Sequence, residues 1–101
     1  MKKINITITG ALGRMGKIII KRISKNKNLK LFSLTDLKSG KTVNGIKTQK
    51  NNLAAFKKTD VIIDFSRPKA SLEILNYAKK LKKKVVIGTT DNKITKHTKY
   101  T

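Results

Sequence analysis

A strand, a glycine turn and a helix are written in succession into residues 4–25. Ile4, Ile6 and Ile8 alternate with polar residues, Gly10, Gly13 and Gly16 form a Gly-x-x-Gly-x-x-Gly turn, and Met15, Ile18, Ile19 and Ile23 recur at helical spacing. Gly10 lets the chain turn tightly. Gly13 lets the backbone approach a phosphate where a Cβ would intrude, and Gly16 lets the helix pack close to the strand. A helix that begins there offers unpaired N–H groups and the positive end of its dipole to whatever lies in the turn. In this context the motif predicts dinucleotide binding. A glycine-rich turn without a ligand is the alternative.

The rest of the chain repeats the alternation. Leu29, Leu31, Phe32 and Leu34 predict a second strand over residues 29–35. Residues 36–52 carry Asp, Ser, Gly, Asn and Thr without a long apolar pattern. They predict a loop with at most a short strand at Ile46–Thr48, after which Asn52 is placed to cap a short helix through Leu53–Phe56. The apolar run after Asp60 predicts a buried strand to Phe65, and Ser66-Arg67-Pro68 a helix start. Ala70, Ile74, Leu75, Ala78 and Leu81 form the apolar face of that helix, which should end near Lys82. Val85-Val86-Ile87 predicts one more buried strand, closing on Gly88-Thr89-Thr90. Residues 91–101 lose periodicity and are expected to be a loose tail behind a domain of residues 1–90.

Strands alternating with helices imply a parallel sheet. The expected architecture is α/β, a Rossmann-type parallel sheet with flanking helices amounting to half to two-thirds of a complete domain. Its strand order would be 3-2-1-4-5 if the strand near residue 47 joins the sheet. The glycine loop, Asp36, Phe65-Ser66 and Gly88-Thr89-Thr90 all follow strand ends, where an open α/β sheet binds its ligand.

A net charge of +20 invites a second reading, a nucleic-acid-binding module. Only Arg14, Arg22 and Arg67 are arginines, the lysines are scattered, and the five aromatics do not interleave with them as a stacking platform would. A solvated lysine-rich surface is the favoured interpretation and nucleic acid the disfavoured partner. The absence of cysteine excludes disulfides and thiolate metal sites and fits a reducing cytoplasm. No apolar run approaches the roughly 20 residues of a membrane span.

Three stretches together, Gly10–Gly16, Ile63–Pro68 and Val86–Thr90, closely resemble the dihydrodipicolinate reductases of the diaminopimelate route to lysine. The ending Gly13-Arg14-Met15-Gly16 is more specific than the glycine spacing, and the resemblance runs from residue 3 to about residue 90. It implies a reductase lineage in which hydride passes from NADH or NADPH to a cyclic imine-type substrate. The backbone of Gly10, Ala11, Leu12, Gly13, Arg14 and Met15 would hold the pyrophosphate, and Asp36 would take the acidic place at the adenosine ribose. Phe65 and Ser66 would lie near the cofactor, and Gly88, Thr89 and Thr90 would approach the nicotinamide. Arg67 is a further candidate for cofactor contact. Asp36 favours free ribose hydroxyls, and the basic residue that often follows it in the family is here Leu37, with Lys38 one residue further. The expectation is therefore dual use with a lean toward NADH.

The departures are specific. Asp91 and Asn92 stand where the family continues with glycine and an aromatic, the loop after Asp36 is shorter than usual, and Lys82 stands where the family leaves its helix on glycine. The family's second domain, with its histidine- and lysine-bearing substrate site, has no counterpart in these 101 residues. His97, the only histidine, lacks the family's paired histidines and reads as a surface residue. The chain is thus expected to be a truncated nucleotide-binding portion with no catalytic residue and no metal, inactive alone, a separate chain being one source of the missing domain. Another NAD(P)-dependent dehydrogenase fragment, such as a semialdehyde dehydrogenase, is the alternative within enzymes, though those need a catalytic cysteine.

Overall fold

The computed structural model describes residues 3–88; the expectations for Thr89, Thr90, His97 and the tail lie outside the described residues. In chain order the elements are β1 (Ile4–Thr9), α1 (Arg14–Ser24), β2 (Leu29–Thr35), β3 (Thr42–Val43), β4 (Ile46–Lys47), α2 (Leu53–Lys57), β5 (Val61–Asp64), α3 (Pro68–Leu81) and β6 (Lys84–Ile87). Four of the strands form one parallel sheet in the order β2-β1-β5-β6. The expected Rossmann-type sheet is therefore present, with one correction. The strand near residue 47 does not join it as a fifth member. Ile46–Lys47 instead pairs antiparallel with Thr42–Val43, and among the described residues the outer flank of β2 carries only a single parallel rung, Thr35 to Gln49. Asn44 and Gly45 both have positive φ, 52° and 79°, the signature of a two-residue hairpin turn whose twist matches its strands.

The two faces of the sheet are built differently. Ile6, Ile8 and Leu34 pack with Ala11, Ile20 and Ile23 on the α1 side, while Ile62, Val85 and Ile87 pack with Phe56, Ile74 and Ala78 under α2 and α3. On the α2 side β1 and β2 present hydroxyls. Thr7 Oγ1 shares hydrogen bonds with Ser33 Oγ at 2.8 Å and Thr59 Oγ1 at 2.5 Å, and Ser33 Oγ donates to the Ala55 carbonyl at 2.8 Å. All three residues are buried, so the network satisfies polar groups that would otherwise be costly and fixes α2 against the sheet.

Two expected faces are corrected. The core-facing residues of α1 are Gly16, Ile20 and Ile23, whereas Met15 and Ile18 are 50% and 46% exposed. A Cβ on Gly16 would lie 2.5 Å from the Gly10 carbonyl oxygen. That close approach sets the rotation of the helix, and at 100° per residue it turns Ile18 away from the sheet. Val86 is not buried either. β6 alternates, with Val85 and Ile87 under α3 and Val86 51% exposed on the other side. At its other end α3 stops on Lys82 in the left-handed conformation (φ 57°, ψ 47°), a geometry that costs a side-chain-bearing residue about 1 kcal/mol. Among the described residues no helix is long and apolar enough to cross a membrane.

Candidate functional site

The carboxyl ends of β1, β2 and β5 open into a cleft of about 620 Å³. Its floor is the glycine loop. Gly10 has φ 66°, and a Cβ there would lie 2.7 Å from the carbonyl carbon and oxygen of Phe65. Only glycine satisfies both demands. The Gly13 N–H closes the turn on the Gly10 carbonyl at 3.1 Å, and the Ala11 N–H donates to the Thr35 carbonyl at 3.1 Å. Gly13 has an ordinary φ of −74°, and a Cβ on it would meet only the Gly10 carbonyl oxygen, at 3.3 Å. The fold thus leaves space around Gly13 that a ligand could use.

Helix α1 begins at Gly13 with no side-chain cap and no acidic residue in its first turn. Helix α3 begins at Arg67 in the same way, with Pro68 as its first residue. Both starts leave backbone N–H groups without intrahelical partners and both line the cleft, through Gly13 and through Ser66, Arg67 and Ala70. Converging N–H groups and dipole ends favour an anion there.

Asp36 closes the β2 side. Its Oδ2 accepts from the Leu12 N–H at 3.0 Å and its Oδ1 from the Lys38 N–H at 3.2 Å, so one carboxylate ties the glycine loop to the end of β2. Asp64, fully buried at the end of β5, does the equivalent work on the other side. Its Oδ1 accepts from the hydroxyls of Thr9 and Ser66 and from the Ser66 N–H, while its Oδ2 is buried without a partner. Phe65 is wedged between two glycines, its backbone against Gly10 and its ring against Gly88, where a Cβ would fall 2.2 Å from Cε1. Among the described residues no cluster of His, Cys, Asp and Glu could hold a metal ion.

Of the sequence-predicted residues, Gly10, Leu12, Gly13, Asp36, Phe65, Ser66 and Arg67 line the cleft. Ala11 is fully buried beneath it, and Arg14 and Met15 are exposed in the first turn of α1. Gly88 lies behind the Phe65 ring. Lys50, Asn51 and Glu73 also line the cleft, and sequence reasoning missed them. Lys50 and Asn51 are carried there by the hairpin, because the Gln49 N–H donates to the Leu34 carbonyl and the Asp36 N–H to the Gln49 carbonyl, both at 3.0 Å. The signal that could have found them is the Asn44-Gly45 turn.

A family profile described as the N-terminus of dihydrodipicolinate reductase matches residues 4–100. The 4-hydroxy-tetrahydrodipicolinate reductase of Pelagibacter ubique is 57% identical over 91 residues, covering 89% of this chain and 35% of that protein. The enzyme of the same name from Buchnera aphidicola subsp. Cinara cedri is 46% identical over 101 residues, covering 87% and 37%. The chain therefore spans about a third of the length of these curated relatives. Among solved structures, dipicolinate-bound dihydrodipicolinate reductase from Paenisporosarcina superposes with a TM-score of 0.74 at 22% identity, over 95% of this chain and 42% of that one. Scyllo-inositol dehydrogenase from Lactobacillus casei, with bound NAD(H) and scyllo-inositol, superposes with a TM-score of 0.66 at 24% identity, over 96% and 32%. These likenesses establish the fold, a partial Rossmann-like α/β domain.

Proposed function

The chain belongs to the dihydrodipicolinate reductase family, and from that premise we propose that it holds NADH or NADPH for the reduction of a cyclic imine-type substrate in lysine biosynthesis. The observation that carries this reading is the convergence of two uncapped helix starts and the Asp36 carboxylate on a single cleft. The residues present fit the cofactor. Backbone from Gly10 to Met15 receives the pyrophosphate at the start of α1, and Asp36 accepts from the ribose hydroxyls with the lone pairs that Leu12 and Lys38 leave free. Phe65 and Ser66 form the wall beside it, with Gly88 behind the Phe65 ring. When bound, the nicotinamide supplies a hydride.

We assign these residues to binding and orientation, with no catalytic residue among them. Turnover requires a substrate-binding part, on the same polypeptide or a separate one, and the 101 residues alone are expected to bind without reducing. We place the protein in the cytoplasm. Asp36 gives NADH the advantage, about 1 kcal/mol, the scale of one hydrogen bond. Calorimetry with both cofactors tests this. Saturable binding of each is expected, NADH about fivefold tighter, with the lean abolished in Asp36→Ala. A folded chain that binds neither cofactor contradicts the reading. An Asp36→Ala variant that loses NADPH more than NADH removes Asp36 from the ribose. Reduction of the substrate by the chain alone refutes the assignment of a purely binding role.

A further inference from the structure

Resting on that cofactor reading, we infer that Lys50 is a specificity-determining residue that lets this site accept a cofactor phosphorylated at the adenosine 2′ position. The residue directly after Asp36 is Leu37, 78% exposed and uncharged, so the end of β2 offers no cation where a 2′-phosphate would begin. The hairpin supplies one from fourteen residues away. Gln49 pairs with the last rung of β2, which brings Lys50, the next residue, to the level of Asp36 on the cleft wall. Its backbone is held from a second direction, the Asn52 Nδ2 donating to the Lys50 carbonyl at 2.7 Å.

Lys38, on the same wall, is fixed by the same device. The buried hydroxyl of Thr48 donates to the Lys38 carbonyl at 2.9 Å and accepts from the Lys41 N–H at 3.0 Å. Segment 36–50 is thus laced shut, and two ammonium groups are carried on positioned backbone beside one carboxylate. The charge of that carboxylate is already offset in part by the N–H groups of Leu12 and Lys38. A phosphate dianion in this cleft faces three cations, Lys38, Lys50 and Arg67, against two carboxylates, Glu73 and the partly compensated Asp36, a balance that favours binding. Asp36 sets the lean toward NADH, and Lys50, assisted by Lys38, keeps that lean from becoming exclusion.

The test is a titration of the chain and of Lys50→Gln with NADPH and NADH, and with the smaller pair adenosine 2′,5′-bisphosphate and 5′-AMP. Lys50→Gln should weaken NADPH and the bisphosphate about tenfold while changing NADH and 5′-AMP less than about twofold. Lys50→Arg should keep the NADPH-to-NADH ratio within about twofold. Lys21→Gln, which removes the same charge from the exposed far end of α1, should leave the ratio unchanged and so excludes the general field of a +20 surface. Normal NADH binding with an unchanged ratio in Lys50→Gln, or an equal loss of both cofactors, overturns the assignment of Lys50 alone. Failure of the unaltered chain to bind NADH overturns the cofactor reading, and this assignment with it.

Discussion

Helices α1 and α2 begin in opposite ways. At α2 the Asn52 Oδ1 accepts from the Ala55 N–H at 2.9 Å, closing the helix with its own side chain. At α1 the equivalent place is Gly13, which has no side chain to offer, and α3 repeats the omission at Arg67. The capped helix is absent from the cleft wall and the two uncapped ones line it. A side-chain cap contributes about 1 kcal/mol. Its omission from the two helices that meet at one cavity leaves their first N–H groups open to a ligand.

Gly10→Val breaks the fold beneath this contrast and has the largest expected effect. It sets a branched side chain at positive φ against the Phe65 and Ser66 backbone, which cannot yield. Chemical denaturation should show a loss of about 3–5 kcal/mol or no cooperative transition at all. Gly13→Val separates ligand from fold. Its φ suits any residue and a Cβ there meets a single close neighbour, the Gly10 carbonyl oxygen at 3.3 Å, so the stability loss should stay near about 1 kcal/mol, well below that of Gly10→Val, while NADH affinity falls at least about thirtyfold. A variant that binds normally would falsify the placement of the pyrophosphate. Asn52→Ala is the converse. It should cost about 1 kcal/mol, lowering Tm by about 4–8 °C, with NADH affinity unchanged. Arg67→Ser fills an open start with a capping hydroxyl. Stability should rise by about 0.5 kcal/mol and cofactor affinity should fall. A thermal melt and a calorimetric titration on one sample check both halves, and a gain in affinity would contradict the account.

Much of this was legible in the sequence because it rests on local chemistry. The glycine turn, the Asn52 cap and Pro68 at the first position of α3 each follow from what one residue type can do at one backbone geometry. The parallel order of β2, β1, β5 and β6 follows from the alternation of strands and helices. What was not legible depends on distant partners. The outward turn of Met15 and Ile18 is decided by how closely Gly16 approaches Gly10, and several apolar residues around one helix do not reveal which of them faces in. The exposure of Val86 depends on which elements cover β6. Lys50 reaches the cleft only because the hairpin folds back and Gln49 finds the end of β2. The Asn44-Gly45 turn was a readable signal for that hairpin; the rung at Gln49 had none. The hydroxyl network of Thr7, Ser33 and Thr59 joins three segments and looks, in sequence, like ordinary polar positions of strands and loops.

The central claim is that NADH satisfies the open helix starts and leaves the capped one alone. Backbone amide shifts recorded during an NADH titration of isotopically labelled chain test it most directly. The account predicts large, saturable shifts at Leu12, Gly13, Arg14 and Met15, with further shifts at Lys69 and Ala70 at the start of α3, while the amides of Leu53–Lys57 in α2 stay in place. Shifts confined to the surface lysines, or spread equally over all three helix starts, would contradict it.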